Sequence, residues 1–258
     1  MACEDGRKEK SKSEPVEGPL DQRVGWGSDV AAQMLRRLEI PWIALTPGAS
    51  YRGFHDSLVN HLGNEHPEML LCLHEEHAVA IAHGYAKVTG RAMAVALHSN
   101  VGLMHGSMAI FNAWGDRAPM LILGATGPMD AAQRRPWIDW LHSTQDQGAL
   151  IRSFTKWDDQ PGSANALPEA MARGWKITNT SPMAPVYINL DAGWQEAPVE
   201  PDLVWPDLAR HAPLAPPCPD SGLLDQAVRA LQAARSPVIL MGRGVRSAAA
   251  MKMRADLA

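Results

Sequence analysis

Short, almost wholly apolar runs alternate with helical patterns along most of the chain. Apolar runs of this kind are typical of parallel sheets that are buried on both faces. The sequence therefore predicts a doubly wound α/β fold, in which helices cover both faces of a parallel sheet. The predicted strands are Trp42–Thr46, Glu68–Leu73, Ala92–His98, Pro119–Thr126 and Pro185–Leu190.

The predicted helices follow from apolar positions that recur at helical spacing. Ser28 is the predicted N-cap of the first helix, and Gly90 the predicted end of the third. The helices are predicted over residues 28–40, about 51–62, 75–89, 102–114 and about 165–179.

Polar residues follow three of these strands, in the segments "TPGAS", "LHEE" and "LHSN". Ligands of open parallel sheets bind at the carboxyl ends of the strands. The sequence therefore predicts that these three segments line one edge of the sheet.

The composition divides the chain into four parts. Residues 1–24 have mixed charges and few apolar groups and are predicted to be a disordered tail, followed by a domain over 25–196. Residues 197–220 are Pro-rich and are predicted to be a linker. Residues 221–258 contain a helix pattern at Leu223–Ala234 and a strand pattern at Pro237–Gly242. One helix and one strand cannot bury a core, so this part is expected to be the truncated start of a further, Rossmann-like domain.

Charge and composition exclude several classes of function. The chain has 258 residues, 46% hydrophobic and 20% charged, with a net charge of −4. Without a basic stripe, a nucleic-acid partner is not expected, and no apolar run reaches the length needed to span a membrane. The N-terminus lacks an apolar signal core, and three widely spaced cysteines indicate reduced thiols, so a cytoplasmic location is expected.

Two adjacent glutamates open the Ala-rich helix predicted at Glu75–Thr89. At 100° per residue, Glu75 shares a face with apolar residues, whereas Glu76 shares one with His83 and Lys87. One interpretation of Glu75 is that it stabilises the helix dipole. The other is that a desolvated carboxylate at this place handles a proton near neutral pH.

The segment "HEEH" also raises the question of a metal site. Zinc proteases place two histidines at i and i+4, whereas His74 and His77 are three residues apart. No third ligand is evident in the sequence, so no metal site is predicted in this chain.

The segment "LHEEHAVAIAHGYAKVTGR" resembles the glutamate segment of thiamine diphosphate-dependent enzymes of the 2-oxo acid decarboxylase and acetolactate synthase type. The resemblance continues through "TPGAS", "ALHSNVG", "FNAW", "RAPMLIL", "TKW" and "PVYINL". It covers about residues 25–195, the pyrimidine-binding domain of that family. The Pro-rich segment and "SPVILMGRGV" resemble the entry to its central domain.

The resemblance implies a role for Glu75. In the family, a carboxylate at this place binds N1′ of the cofactor's aminopyrimidine ring and promotes loss of the C2 proton of the thiazolium. Glu76 is not expected to replace it. Pro47 and Gly48 resemble the turn that approaches the pyrimidine, although a plain strand-to-helix turn is the alternative. The implied substrate is a small 2-oxo acid.

Within the family, "LHSNVG" and "FNAW" look most like the benzoylformate decarboxylase branch. His98 then resembles an active-site histidine that transfers protons, while a hydrogen-bonded residue at a strand end is the alternative. That branch has serine directly after "PG", where this chain has Ala49 and then Ser50. Either the substrate pocket differs or Ser50 takes part of that role.

The small residues Gly102, Gly106, Ala109 and Ala113 lie roughly along one face of the next helix. They are consistent with close approach of a helix from a second subunit, as in this family, or with ordinary packing within the domain.

The family holds the diphosphate through Mg²⁺ on a separate domain that contains a Gly-Asp-Gly segment, and this segment does not occur here. We therefore expect the chain to supply the pyrimidine end only, to be inactive alone, and to need a homo-oligomer or a partner subunit. It is the N-terminal part of a decarboxylase or carboligase, or a short subunit that pairs with a diphosphate-binding partner. A non-catalytic binding or regulatory domain of the same fold is the third possibility.

Overall fold

The computed structural model describes residues 23–200, 202–245 and 247–258 in two compact units, which divide between Ala215 and Pro216. The first unit contains a six-stranded sheet in the order β2-β1-β3-β4-β6-β5, with every neighbouring pair parallel. Its strands are β1 (Trp42–Leu45), β2 (Glu68–Leu71), β3 (Ala94–Leu97), β4 (Leu121–Thr126), β5 (Trp157–Asp159) and β6 (Val186–Asp191).

Helices cover both faces of this sheet, which confirms the predicted doubly wound α/β class. The helices are α1 (Gly27–Arg37), α2 (Arg52–Asp56), α3 (Glu75–Thr89), α4 (Ser99–Gly115), α5 (Leu167–Asn179) and the short α6 (Ala192–Gln195). No helix in the described parts of the chain has both the length and the apolar character needed to cross a bilayer.

Alternate residues of each strand pack into two separate cores. In β1, for example, Ile43 and Leu45 face α1, α2 and α5, whereas Ala44 faces α3 and α4. We call the first group of helices the large-residue layer and the pair α3–α4 the small-residue layer. Buried side chains of the large-residue layer include Met34, Leu35, Phe54, Leu58 and Met171. Buried residues of the small-residue layer include Ala78, Val79, Ala82, Gly102, Gly106, Ala109 and Ala113.

The start of α1 differs from the prediction because Trp26, and not Ser28, is its N-cap. Helix α1 begins at Gly27, and Asp29 accepts the backbone N–H groups of Gly25 and Trp26, both at 3.0 Å. Ser28 is buried inside the first turn, where its Oγ accepts a hydrogen bond from the Ser57 hydroxyl.

The helix predicted over 51–62 is irregular in the structure. A 3₁₀ turn (Ala49–Tyr51) leads into α2, and a π-helical turn (Ser57–His61) follows. The Ser57 hydroxyl lies 2.7 Å from Asp29 Oδ1 and 2.9 Å from Gly53 O. A side chain that competes for helix carbonyls in this way commonly accompanies a local distortion.

Strand β5 was absent from the prediction. It has three residues, two of them aspartates, and lies at the edge of the sheet beside β6. So short and polar a run shows no strand periodicity. Helix α4 begins at Ser99, three residues before the predicted start.

The second unit contains α7 (Ser221–Ala233) and α8 (Ala248–Leu257), neither of which has a buried residue. The predicted strand at Pro237–Gly242 is wrong, because its described residues have no strand structure. A strand requires a hydrogen-bonded neighbour, and the second unit contains no other strand among its described residues. Helix α8 was not predicted.

The predicted four-part division stays a prediction. Residues 1–22 of the predicted tail lie outside the described residues. In the stretch predicted as a linker, Val199, Leu203, Trp205 and Leu208 pack against the core of the large-residue layer. Val199 also donates its N–H to Gly25 O at 3.0 Å.

Candidate active site at the carboxyl edge of the sheet

The order in which the chain adds strands to the sheet reverses at β1. The chain passes from β1 to β2 on one side and then returns to β3 on the other side of β1. The carboxyl ends of strands at such a switch point form the ligand-binding crevice of open α/β sheets. The segments that follow β1 and β3 therefore meet at this crevice, as the sequence predicted for "TPGAS" and "LHSN".

Gly48, Ser50 and His98 are in direct proximity at this point. The Ser50 Oγ lies 2.8 Å from His98 Nδ1, and Ser50 is only 6% exposed. A Cβ atom added to Gly48 would stand 2.0 Å from His98 Cγ, so no larger residue fits without displacing the imidazole. Ala49 is half-buried and begins the 3₁₀ turn, whereas Pro47 is exposed.

A cavity of about 190 Å³ opens beside the Pro47–Gly48 turn. Tyr51 forms part of its wall, and the side chain of Tyr51 is buried. The Tyr51 hydroxyl lies 2.9 Å from Leu97 O, at the end of β3, and 2.6 Å from Leu123 O, inside β4. Tyr51 therefore fixes the turn after β1 to the neighbouring strands. Burial raises the pKa of Tyr51 well above its usual value, so it acts here as a neutral donor.

The pKa of His98 is lowered, first by burial and second by the charge of His142, while Glu75 opposes the shift. The ring centroids of His98 and His142 are 4.7 Å apart. His98 is therefore a neutral imidazole at pH 7, able to accept a proton. Sequence reasoning missed His142, because it lies in an irregular loop between β4 and β5 with no periodic pattern.

The residue after His98 has an unusual backbone. Ser99 is fully buried and has φ = 46°, in the left-handed region that L-residues rarely adopt. Strain of this kind is found preferentially at functional sites. This backbone lies directly after the candidate histidine, at the first residue of α4.

Glu75 is the first residue of α3, and His74 is its N-cap. The helix bounds Glu75–Thr89 and the end at Gly90, with φ = 70°, are as predicted. The side chain of Glu75 is 14% exposed, whereas Glu76 points to solvent. The predicted apolar face is also confirmed, since Ala78, Val79, Ala82 and Ala86 are the buried residues of α3.

Glu75 reaches from α3 onto α4. A Cβ atom on Gly102 would stand 3.1 Å from Glu75 Oε1, and one on Gly106 would stand 3.6 Å from Glu75 Cβ. The small residues of α4 therefore accommodate Glu75 and pack inside the domain. Of the two alternatives left open by the sequence, packing within the domain accounts for Gly102, Gly106, Ala109 and Ala113, which are all buried.

His105 is the partner of Glu75 that sequence reasoning missed. Its Nδ1 lies 2.9 Å from Glu75 Oε2, and its side chain is 59% exposed. The ring of His74 lies 4.0 Å from that of His105. The sequence showed no third ligand beside His74 and His77, and it gave no sign of His105, which lies 30 residues from Glu75 and shares no local pattern with it.

Comparison with known proteins identifies the class. Residues 25–150 match the family model "Thiamine pyrophosphate enzyme, N-terminal TPP binding domain", thiamine pyrophosphate being another name for thiamine diphosphate. Residues 25–150 therefore belong to the N-terminal thiamine diphosphate-binding domain of this enzyme family.

Its relatives include decarboxylases and carboligases. The chain is 28% identical over 191 residues to the benzoylformate decarboxylase of Pseudomonas aeruginosa, covering 73% of this chain and 35% of that protein. It is 28% identical over 227 residues to the acetolactate synthase large subunit of Corynebacterium glutamicum, covering 85% of this chain and 34% of that protein. The chain thus spans about a third of the length of these curated relatives.

A solved structure shares the fold. The thiamine diphosphate-dependent 4-hydroxybenzoylformate decarboxylase of Rhodococcus jostii aligns with a TM-score of 0.68 at 21% identity. The alignment covers 83% of this chain and 38% of that protein.

Proposed function

We propose that the chain supplies the aminopyrimidine side of a thiamine diphosphate site in a 2-oxo acid decarboxylase or carboligase. One observation carries the proposal: the carboxylate of Glu75 is largely buried at the start of α3, against the glycines of α4. An acidic residue needed only for the helix dipole does not have to be buried, and Glu76 in the same turn of α3 is exposed.

The residues at this edge of the sheet fit such a cofactor. Pro47 and Gly48 line the cavity at this edge of the sheet, and the absence of a side chain on Gly48 lets the His98 imidazole lie against its backbone. Thr46, at the end of β1, has a buried Oγ1 without a hydrogen-bond partner among the described residues. A buried hydroxyl left in this way is expected to bind a ligand or a water molecule. Pro47, Gly48 and Glu75 are the residues proposed to hold the aminopyrimidine ring.

Glu75 is proposed to hold the ring through a hydrogen bond between its carboxylate and a ring nitrogen. When bound, thiamine diphosphate supplies a thiazolium that takes up the electron pair released as carbon dioxide leaves. The low exposure of Glu75 strengthens its contact, because a charged acceptor is more effective where water is excluded. His105 occupies one carboxylate oxygen of Glu75 at 2.9 Å, which leaves Oε1 for the ring.

His98 is proposed to transfer protons during the reaction. Its lowered pKa keeps the ring neutral at pH 7, and Ser50 holds it in place through Nδ1 at 2.8 Å. The other ring nitrogen can then exchange a proton with a substrate oxygen or carbon. Ala49 and Ser50 are proposed to face the substrate, and Ser50 takes the part that a serine one position earlier has in the benzoylformate decarboxylase branch.

We further propose that a second subunit or a separate domain completes the site and holds the diphosphate with Mg²⁺. The outer face of α4 supports this proposal, since Met104, Met108 and Phe111 are 53%, 57% and 44% exposed. Apolar residues at this spacing form a stripe along one helix face, which is typical of an interface.

The proposal is tested with the protein purified from its native source, so that any further domain or subunit remains with it. Thiamine diphosphate, Mg²⁺ and a panel of 2-oxo acids that includes benzoylformate and pyruvate are added, and consumption of each acid is followed. We expect consumption of at least one acid that depends on the added cofactor. Cofactor binding without any turnover would instead indicate a binding or regulatory subunit, and failure to bind the cofactor would contradict the proposal.

The His98→Ala variant distinguishes a role of His98 in proton transfer from a structural role in the turn. We expect a fall in kcat of about 10²–10⁴-fold, the usual contribution of a proton-transferring group, with cofactor affinity nearly unchanged. A large loss of cofactor affinity would instead make His98 a structural residue of the turn.

A further inference from the structure

Two histidines and the glutamate of the site converge where α3 meets α4. His74 is the N-cap of α3, Glu75 is its first residue, and His105 lies in the second turn of α4. One potential ligand atom from each of these residues lies within 4.8 Å of the other two. Among the described residues, this is the one such group of histidine, cysteine and carboxylate side chains.

The donor set has a clear chemical preference. Two imidazole nitrogens and one carboxylate oxygen are typical ligands of borderline divalent metals such as Zn²⁺, whereas Mg²⁺ and Ca²⁺ prefer oxygen donors alone. Three protein ligands leave the fourth tetrahedral position of zinc for water. We call His74, Glu75 and His105 the His-Glu-His cluster.

Side-chain movements of His74 and His105 are needed to admit an ion, because the ligand atoms are separated by up to 4.8 Å. His105 Nδ1 and Glu75 Oε2 are 2.9 Å apart, and the ring centroids of His74 and His105 are 4.0 Å apart. Zinc binds each such ligand at about 2.0–2.2 Å, which separates two ligand atoms by roughly 3.3 Å in a tetrahedron. The cluster therefore has to open by a few tenths of an ångström between His105 and Glu75.

Both access and charge favour a cation. His105 is 59% exposed and open to solvent, while Glu75 is 14% exposed and carries the negative charge. His74 Nδ1 accepts the Glu76 N–H at 3.2 Å. To bind a metal, His74 either exchanges this contact for the ion or moves its proton to Nδ1 and binds through Nε2. Each route gives up one long hydrogen bond at an exposed position.

We propose that the His-Glu-His cluster binds a divalent metal of the zinc class, and that the bound ion withdraws Glu75 from the aminopyrimidine. The metal site itself is independent of the proposed function. The second consequence, inhibition by zinc, rests on that function, because the same carboxylate is the proposed cofactor contact.

Zinc titration by calorimetry tests the site. The titration uses a variant with Cys3→Ser and Cys218→Ser, because a cysteine thiol competes for zinc. Cys218 is exposed in the structure. We expect saturable binding of one zinc ion per chain. His105→Ala and His74→Ala should each weaken the affinity at least about tenfold.

His77→Ala is the matched control. His77 is exposed, lies in the first turn of the same helix and has its ring 5.2 Å from that of His74, yet it is outside the cluster. It should leave zinc affinity within about twofold of the parent, because it supplies no ligand. The site would be overturned by absence of saturable binding, by unchanged affinity in His105→Ala, or by an equal loss in His77→Ala. Thermal melts of each variant confirm that the fold is retained.

Thiamine diphosphate affinity in excess Mg²⁺, measured with and without one equivalent of zinc, tests the second consequence. We expect zinc to weaken cofactor binding at least tenfold in the parent protein and to have no effect in His105→Ala. Unchanged cofactor affinity at saturating zinc would overturn the inhibition. A protein that binds zinc but never binds the cofactor would instead contradict the proposed function, so the two failures are distinct.

Discussion

The two helical layers on the sheet are built from residues of very different size. The large-residue layer buries methionine, leucine and phenylalanine together with alanine, whereas the small-residue layer buries mostly alanine and glycine. Small side chains let helices and strands approach closely, because the distance between packed elements depends on the side chains at the contact. The approach of α3 to α4 is what brings Glu75 onto Gly102 and His105.

This difference separates stability from function. Large buried side chains contribute most of the hydrophobic stabilisation, since that term scales with apolar area removed from water. The small-residue layer contributes less area per residue, but it carries Glu75 and the His-Glu-His cluster. We therefore expect substitutions in the large-residue layer to change stability, and substitutions around α3 and α4 to change ligand binding.

Leu35→Ala is expected to have the largest effect on stability. Leu35 is fully buried in the large-residue layer, and such a truncation costs about 2–5 kcal/mol through lost burial and a remaining cavity. Urea denaturation followed by circular dichroism measures this loss. If the variant folds, its zinc affinity should equal that of the parent. A changed zinc affinity would contradict the assignment of stability to one layer and ligand binding to the other.

Tyr51→Phe is expected to be the next most disruptive change. It removes the hydroxyl that lies 2.9 Å from Leu97 O and 2.6 Å from Leu123 O, and leaves these buried carbonyls without that donor. The expected loss is about 1–3 kcal/mol in the free energy of unfolding. A variant as stable as the parent would show that Tyr51 does not anchor the turn after β1.

The pH dependence of stability should reveal the lowered pKa of His98. The unfolded chain protonates this residue near its usual pKa of 6.5, while the folded protein takes up the proton only at lower pH. The folded state therefore loses stability as the pH falls from 6.5 through the lower folded pKa, and keeps this contribution above 6.5.

Comparing the His98→Asn variant with the parent protein isolates the contribution of His98 to the pH dependence of stability. The variant should lose less stability than the parent between pH 7.5 and 5.5 in urea denaturation, because the buried imidazole is gone. The same substitution at His77, which is exposed on the first turn of α3, serves as the control for replacing a histidine by asparagine. An identical pH dependence in His98→Asn and the parent would contradict the account of His98.

Gly84→Ala is expected to have the smallest effect, and in the opposite direction. Gly84 lies inside α3, and a Cβ atom there would meet nothing within 4 Å. Alanine in a helix interior is more stable than glycine by about 0.5–1 kcal/mol, so the midpoint of denaturation should rise. Gly102→Ala gives the contrast, because its Cβ would stand 3.1 Å from Glu75 Oε1. A loss of stability in Gly84→Ala would show that this face of α3 is not free.

The regular parts of the fold could be predicted because the signals were local. Apolar runs predicted five of the six strands. Gly90 predicted the end of α3 at the correct residue, and its backbone is left-handed in the structure. β5 could not be found, since its three residues owe their strand structure to pairing with β6. The predicted strand at Pro237–Gly242 was wrong for the converse reason, because this apolar run has no neighbouring strand among the residues that the structure describes.

Only those residues of the candidate site that the family resemblance identified could be predicted from the sequence. The resemblance singled out Glu75, His98 and the turn at Gly48, and the structure places Gly48 against His98. His105 and His142 could not be anticipated, because each contacts its partner across elements that are distant in sequence. Contacts of this kind depend on how helices and loops pack, and they leave no periodic pattern in the sequence.

The central claim, that Glu75 and not its neighbour acts on the cofactor, is tested most directly by hydrogen–deuterium exchange at C2 of thiamine diphosphate. The measurement compares Glu75→Gln with Glu76→Gln in the protein from which the native partner domain or subunit has not been removed. We expect exchange to fall by about 10²-fold or more in Glu75→Gln and to remain near the parent rate in Glu76→Gln. Equal rates in the two variants would contradict the assignment of Glu75.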